Sequence, residues 1–155
     1  QRVFAVDVGR NQLHERIKAN PKVEWRDGVN VREIHSDDMP FACSLLVADL
    51  SFISLTKVLP SLMSVMSPED SFTTPQMVLL VKPQFEAGRV EVSRGKGVIT
   101  DPEIHAETIQ TVQECVESLG GSVLGLVESP IKGAEGNTEF LMFVECRTSS
   151  VGCES

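Results

Sequence analysis

Apolar and polar residues along the chain alternate in blocks that predict strands and helices in turn. Residues 3–8, 45–50 and 77–82 are short apolar runs with a polar residue at or near the C-terminal end. Such runs are typical of parallel strands that are buried on both faces of a sheet. Residues 23–26 are a shorter strand candidate between the first two runs.

Helical patterns fill the intervals between these strands. A short helix is predicted around residues 13–17, and a longer one over residues 55–66, where apolar residues recur at steps of three and four. A third helix is predicted to begin after Asp101, which has the residue type of an N-cap and precedes a proline, and to end at Gly120.

The last two strand candidates, residues 123–128 and 140–146, are joined by a segment too short for a crossover helix, so we expect them to pair antiparallel. Together with the preceding alternation, they predict an α/β fold with a largely parallel sheet.

Residues 83–100 show neither the helical nor the strand periodicity, and they contain three glycines. We expect them to form a loop, and a loop of this length in a compact domain is commonly functional. We expect residues 147–155, which are small and polar, to form a disordered tail.

The net charge of the 155-residue chain is −8, which disfavours nucleic-acid binding through a uniformly basic surface. The loop at residues 83–100 is nevertheless locally basic. The bases in and beside it are Lys82, Arg89, Arg94 and Lys96, and the acids are Glu86 and Glu91.

No apolar run approaches the roughly 18 residues that a membrane-spanning helix requires, so we expect a cytoplasmic protein. The four cysteines form no CxxC pair, and the three histidines lie at no metal-ligand spacing to them. We therefore expect core thiols in a reducing compartment and no metal site.

Three polar residues stand at or near the C-terminal ends of separate predicted strands: Asp7, Asp49 and Lys82. Ligands of α/β sheets bind outside these strand ends, so we expect the three side chains to converge on one site. An acid such as Asp7 commonly accepts hydrogen bonds from the ribose of NAD or S-adenosylmethionine. The glycine-rich turn that usually accompanies it, one strand earlier, is not in the sequence.

Four ordered motifs resemble the methyltransferase half of the TlyA, or hemolysin A, family, whose catalytic domain is FtsJ-like. They are D-L-S-F-I-S-L at 49–55, L-V-K-P-Q-F-E-A-G-R at 80–89, K-G-V-I-T-D-P at 96–102 and S-P-I-K-G-A-E-G-N-T-E-F-L at 129–141. A-V-D-V-G-R-N-Q-L at 5–13 is similar to the family's cofactor strand. Motifs of this length in this order make the resemblance specific over residues 2–146.

The resemblance implies a Rossmann-like sheet and S-adenosylmethionine-dependent methylation of ribose 2′-hydroxyls in ribosomal RNA. FtsJ-like enzymes carry a Lys-Asp-Lys-Glu tetrad, and its last three members match Asp49, Lys82 and Glu139. Lys82 would act as the base, while Asp49 and Glu139 orient it and the hydroxyl. On residue type alone, Glu139 could instead be an exposed residue at the start of a strand.

For the cofactor, the resemblance places ribose binding at Asp7, with Val8 beside it. It places Asn30 near the adenine and Asp49 next to the cofactor as well as the substrate.

For RNA, the candidates are Phe85 as a stacking residue and Arg89, Arg94 and Lys96 as phosphate contacts. Phe85 could equally be an apolar anchor of its loop.

The same resemblance implies parts that would precede residue 1. These are the first strand of the sheet, its glycine-rich turn, the first lysine of the tetrad and an S4-type RNA-binding domain. We therefore expect residues 1–146 to be a partial FtsJ-like domain with an incomplete sheet, inactive alone. The strands ending at Asp7 and Asp49 would either close up on each other or leave a groove between them.

Three alternatives stay open at this point. A non-catalytic nucleotide- or RNA-binding module would use Lys82 only to contact a phosphate. A membrane-active hemolysin is suggested by the family name, although no segment is apolar enough or basic-amphipathic enough for it. Half of an NAD-dependent dehydrogenase would leave the set of Asp49, Lys82 and Glu139 unexplained.

Overall fold

The structure is a computed structural model that describes residues 1–68, 70, 72–88 and 97–146. Within these residues six strands form two separate sheets. In the first sheet β1 (Val3–Asp7) pairs in parallel with β2 (Val23–Asp27). The second sheet has the order β3-β4-β6-β5. Its strands are β3 (Leu45–Ala48), β4 (Gln76–Val81), β5 (Gly121–Glu128) and β6 (Phe140–Cys146).

The second sheet is mixed. Strands β3 and β4 run parallel, whereas β6 runs antiparallel to both β4 and β5. The predicted antiparallel pairing of the last two strands is therefore confirmed. It places the start of β6 beside the C-terminal end of β4, where Val81 pairs with Phe140.

The described residues contain four α-helices, which lie between the strands. They are α1 (Glu15–Lys18), α2 (Leu59–Ser64), α3 (Pro83–Glu86) and α4 (Pro102–Ser118). Helix α4 begins as predicted, because the Asp101 carboxylate accepts the backbone N–H of Glu103 at 2.9 Å. The predicted helix over residues 55–66 is instead divided into a 3-10 turn, Leu55–Lys57, and α2.

The prediction of a loop over residues 83–100 is wrong for its first four residues, which form α3. Pro83 occupies the first helical position, and the backbone N–H groups of Phe85 and Glu86 donate to the Lys82 carbonyl. A single turn is too short to show helical periodicity in a sequence. Residues 89–96, which carry Arg89, Arg94 and Lys96, and residues 147–155 lie outside the described residues.

The hydrophobic core lies on one face of the second sheet, between the sheet and helices α2 and α4. Alternate residues of β4 and β6 are fully buried there, as are apolar residues of both helices. The core includes Leu59, Leu62, Met77, Leu79, Val81, Val112, Val116, Met142 and Val144.

The opposite face of this sheet is apolar and much more exposed. Leu45 and Val47 of β3 are 60% and 71% exposed, and Val127 of β5 is 59% exposed. Val78 and Phe143 lie between them on the same face and are partly buried. Val78 pairs with Val47 on one side and with Phe143 on the other. Apolar faces of parallel sheets are usually covered by helices, so this face has the composition of a buried surface.

The two sheets are not joined by strand pairing in the described residues, where β1 pairs only with β2 and β3 only with β4. The strands that end at Asp7 and Asp49 have therefore not closed up on each other. The segment after β2 instead reaches the helical layer, where the Ser61 hydroxyl donates to the Arg32 carbonyl at 2.8 Å.

Burial governs the chemistry of the described thiols. It raises the pKa of Cys43, of Cys115 and of Cys146, the last to about 11. Among the described residues, no group of three or more histidines, cysteines or acids is arranged to hold a metal. No helix in the described part of the chain is long and apolar enough to cross a membrane.

The two faces of the second sheet should respond differently to truncation. Val144 is fully buried, so Val144→Ala should lower the free energy of unfolding by about 2 kcal/mol. Val47→Ala, on the exposed face, should lower it by less than about 0.5 kcal/mol. Chemical denaturation followed by circular dichroism measures both, and equal losses would contradict the assignment of the core.

Candidate active site

Lys82 lies at the centre of the candidate site, immediately after β4. Its Nζ is 2.6 Å from the Asp49 carboxylate and donates to the Ser51 hydroxyl at 3.2 Å. The Lys82 side chain is only 11% exposed, whereas that of Asp49 is 67% exposed. Because β3 and β4 are adjacent parallel strands, their C-terminal ends bring these two side chains together.

Glu139 lies on the other side of Lys82, just before β6. The last pair of the β4–β6 ladder is Val81 with Phe140, so Glu139 falls opposite Lys82 one step further. Glu139 is 6% exposed, and the alternative of an exposed residue at a strand start is wrong. Its described hydrogen-bond partner is the side-chain amide of Gln84, which donates from Nε2 at 3.0 Å. Sequence reasoning did not single out Gln84.

The backbone of Gly133 closes over the Glu139 carboxylate. A Cβ atom at residue 133 would lie 2.1 Å from Oε1 and 2.5 Å from Cδ of Glu139. Only glycine therefore fits at residue 133 while Glu139 stays in place. The Gly133 N–H donates to the Asn137 carbonyl at 2.8 Å, which holds this turn against the strand start.

A second set of contacts ties the segment after β3 to helix α3. The Glu86 carboxylate accepts the Ser54 hydroxyl at 2.6 Å and the Leu55 N–H at 2.8 Å. Burial raises the pKa of Glu86, and these two hydrogen bonds oppose that rise. Together with the ion pair of Lys82, they join residues 49–55 to residues 82–86, a connection that we term the cross-strand clamp.

Two aromatic rings lie at the outer side of the clamp. The ring centroids of Phe52 and Phe85 are 5.1 Å apart. Phe85 is partly buried, while Phe52 is 91% exposed and has a positive φ of 64°. An exposed aromatic ring in a strained backbone conformation is a sign of a functional residue, and Phe52 was not predicted.

Asn137 fixes residues 97–99, where the described part of the chain resumes after residue 88. Its Oδ1 accepts the Ile99 N–H at 3.0 Å, and its Nδ2 donates to the carbonyls of Gly97 and Ala134 at 3.0 Å. The residue is 2% exposed. Residues 97–99 are therefore held close to the segment that leads into Glu139.

The predicted cofactor residues lie at the ends of the first sheet. Asp7 is exposed, and its Oδ1 accepts the Gly9 N–H at 2.7 Å. No hydrogen bond to its Oδ2 occurs within the described residues, so this oxygen can accept a ligand hydroxyl. Val8 beside it is 74% exposed.

Asn30 follows the other strand of this sheet and caps a 3-10 turn. Its Oδ1 accepts the Arg32 N–H at 3.2 Å, and its Nδ2 donates to Glu33 at 3.0 Å. Asn30 also lines a pocket of about 210 Å³, together with Phe4, Val29 and Ile34 among others. Asp7 and Val8 do not line this pocket, whereas Asp49 belongs to the clamp in the second sheet.

Comparisons with known proteins identify the family. Residues 1–146 match the FtsJ-like methyltransferase family. The chain is 36% identical over 146 residues to the 16S/23S rRNA (cytidine-2′-O)-methyltransferase TlyA of Mycobacterium tuberculosis. The match covers 94% of this chain and 52% of that protein. The chain thus spans about half the length of this curated relative.

Solved structures show the same fold. A crystal structure from Lactococcus lactis, described as that of a hemolysin, is 39% identical, with a TM-score of 0.86 over 94% of this chain and 67% of that one. A 16S rRNA (adenine(1408)-N(1))-methyltransferase from Catenulisporales acidiphilia is 12% identical, with a TM-score of 0.60 over 96% and 76%. At this identity the second likeness concerns the fold alone, which is that of an α/β methyltransferase.

Glu86 should make the stability of the protein depend on pH. Burial raises the pKa of the Glu86 carboxyl group in the folded state, so this group loses its proton at a lower pH in the unfolded chain than in the folded one. The free energy of unfolding therefore falls as the pH rises from about 4.3, the ordinary value for glutamate, through the folded-state pKa. Glu86→Gln can still accept the Leu55 N–H at its amide oxygen and can donate from its amide nitrogen to the Ser54 hydroxyl, without that loss. The variant should therefore gain stability relative to the wild type as the pH rises from 4 to 8.

Denaturation curves at several pH values measure this difference. Glu114→Gln, on helix α4, is the matched control because it removes one carboxylate that bonds only an exposed neighbouring glutamine. A difference between Glu86→Gln and the wild type that stays constant over the whole range would contradict the account of Glu86.

Proposed function

The chain belongs to the FtsJ-like methyltransferase family, and we propose that it transfers a methyl group from S-adenosylmethionine to ribose 2′-hydroxyls of ribosomal RNA. The observation that carries the proposal is the buried Lys82, paired with Asp49 and lying opposite Glu139 at one end of the second sheet. The relative from Mycobacterium tuberculosis is a 16S/23S rRNA (cytidine-2′-O)-methyltransferase. Ribosomal RNA as substrate implies a cytoplasmic protein.

The residues of the site suit removal of a proton from a hydroxyl. The sulfonium of S-adenosylmethionine supplies a methyl group that is already activated, so the protein has to position the hydroxyl and accept its proton. Lys82, in its neutral form, would take that proton at Nζ. Asp49 and Ser51 hold Nζ in place, while Glu139 orients the hydroxyl from the opposite strand end.

The described residues also fit the cofactor. The Gly9 N–H orients the exposed carboxylate of Asp7, which leaves an oxygen for the ribose hydroxyls. Asn30 and the pocket beside it offer a place for the adenine. Val8 would flank the ribose, and Asp49 would lie between cofactor and substrate.

RNA would approach over the cross-strand clamp. The exposed ring of Phe52 and the neighbouring ring of Phe85 can stack with unpaired bases. Such stacking does not depend on the RNA sequence, because every base has a flat aromatic face. Arg89, Arg94 and Lys96 are the proposed phosphate contacts. The described residues on either side of them lie close to the site, with α3 before them and Gly97 and Ile99 bound to Asn137 after them.

We further propose that this domain acts as part of a longer protein. Its curated relative is about twice as long, and the apolar face of the second sheet has the composition of a covered surface. An upstream segment would supply the first strand, the glycine-rich turn and the first lysine of the tetrad. An S4-type domain would add affinity for RNA. The alternative of a hemolysin rests on the names of relatives alone.

Replacing Lys82 should abolish the reaction. Lys82→Met keeps the volume of the side chain but removes the base, so methyl transfer should fall by about 100-fold or more. Transfer of a radiolabelled methyl group to ribosomal RNA, by the chain in its full natural length, measures the effect. Lys57→Met, at an exposed position outside the site, should leave the rate unchanged. Full activity of Lys82→Met would exclude Lys82 as the base.

Replacing Asp7 should weaken cofactor binding. Asp7→Ala removes the acceptor of the ribose hydroxyls and should cost about 1–3 kcal/mol of binding free energy. Titration calorimetry with S-adenosylmethionine measures it, again in the full natural length. Asp37→Ala, an exposed acid outside the site, is the control. Unchanged affinity in Asp7→Ala would remove Asp7 from the cofactor site.

A further inference from the structure

We infer that Gln84 is a positioning residue that fixes the carboxylate of Glu139 at the strand end that carries Lys82. The inference rests on the proposed function, because a fixed carboxylate affects catalysis only if this site carries out the reaction. Gln84 is one of the few buried polar residues among the described ones, and neither the family motif nor the strand-end pattern gives it a role.

The contact between Gln84 and Glu139 joins distant parts of the chain. Gln84 lies in α3, two residues after Lys82, and Glu139 precedes β6. The Nε2–Oε1 distance is 3.0 Å, and both residues are more than nine-tenths buried. Since Lys82 and Gln84 leave the same strand end, the hydrogen bond holds Glu139 in a fixed relation to the base.

Gly133 confines the same carboxylate from another direction. The 2.1 Å separation between a hypothetical Cβ at residue 133 and Glu139 Oε1 shows how closely the backbone approaches. Between this backbone and the Gln84 amide, the carboxylate has little freedom to rotate. Because the carboxylate of Glu139 is already ordered, it loses little conformational entropy when it orients the substrate.

The amide of Gln84 has a hydrogen-bond partner at only one of its two ends in the described residues. Its Oε1 is buried and has no hydrogen-bond partner in the described residues. A buried acceptor without a partner is costly, and an apolar side chain of similar size would avoid that cost. The N–H donated to Glu139 is therefore the feature that explains an amide at this position.

Helix α3 holds the amide where it is needed. The helix is one turn long and is secured by Glu86, which accepts hydrogen bonds from Ser54 and Leu55. The cross-strand clamp thus sets the position of Gln84 as well as that of Lys82. Through Gln84, it also sets the position of Glu139.

The test is Gln84→Met, which keeps the side-chain volume and removes the amide. With the chain in its full natural length, kcat for methyl transfer to ribosomal RNA should fall about tenfold. KM for the RNA and the affinity for S-adenosylmethionine should not change, because Gln84 is placed against neither. Gln84→Glu should be slower than Gln84→Met at neutral pH. Its kcat, as a fraction of the wild-type kcat at the same pH, should rise as the pH is lowered, because one proton shared between the two carboxyl groups restores a donor to Glu139.

Gln113→Met is the matched control. It removes an amide–carboxylate hydrogen bond of 2.8 Å to Glu117 on the exposed face of α4, and its kcat should equal that of the wild type. An active wild type together with a Gln84→Met variant that loses stability but keeps kcat would overturn this inference alone. A wild type without methyl transfer would overturn the proposed function and this inference with it.

Discussion

The ion pair between Lys82 and Asp49 is the contact on which the rest of the candidate site depends. A largely buried ammonium requires a partner, and the adjacent parallel strand provides one at its C-terminal end. Because Asp49 is two-thirds exposed, water screens the pair, which contributes on the order of 1 kcal/mol to stability. Its main effect is therefore geometric. It fixes Nζ at the strand ends, where α3 begins and the start of β6 arrives from the opposite direction.

A second constraint arises from the way the chain is divided into two sheets. The first sheet carries Asp7, and the second carries the cross-strand clamp, yet no strand pairing joins them in the described residues. Leu45 and Val47 of the apolar face lie on β3, the edge strand of the second sheet that pairs only with β4 in the described residues. A cofactor that contacts both Asp7 and Asp49 would bridge the two sheets. The geometry of binding thus depends on what holds the sheets in register.

The strands and the longest helix could be predicted from the sequence, because runs of apolar residues and a helix cap involve only neighbouring residues. The strands of both sheets follow from apolar runs, and α4 follows from the cap at Asp101. The meeting of Asp49 and Lys82 could be expected because both residues end parallel strands. Helix α3 was missed since one turn has no periodicity, and its stability comes from Glu86 contacting Ser54, more than thirty residues away.

The remainder of the site depends on contacts that no local pattern contains. The role of Glu139 came from the family resemblance, since its residue type and position alone fit an exposed strand start as well. Gln84 contacts Glu139 across 55 residues of chain, and Phe52 is notable only for its exposure and its positive φ. Such features arise from tertiary packing, so they become visible only when the antiparallel β6 is placed beside β4.

The position of the transferred methyl group tests the central claim most directly. Ribosomal RNA methylated with isotopically labelled S-adenosylmethionine by the chain in its full natural length can be digested to nucleosides and analysed by mass spectrometry. The account predicts the label on the ribose of a 2′-O-methylated nucleoside, in a linkage that resists alkaline cleavage of the RNA. Label on a base would contradict it, because a lysine that accepts a hydroxyl proton would then have no part in the reaction.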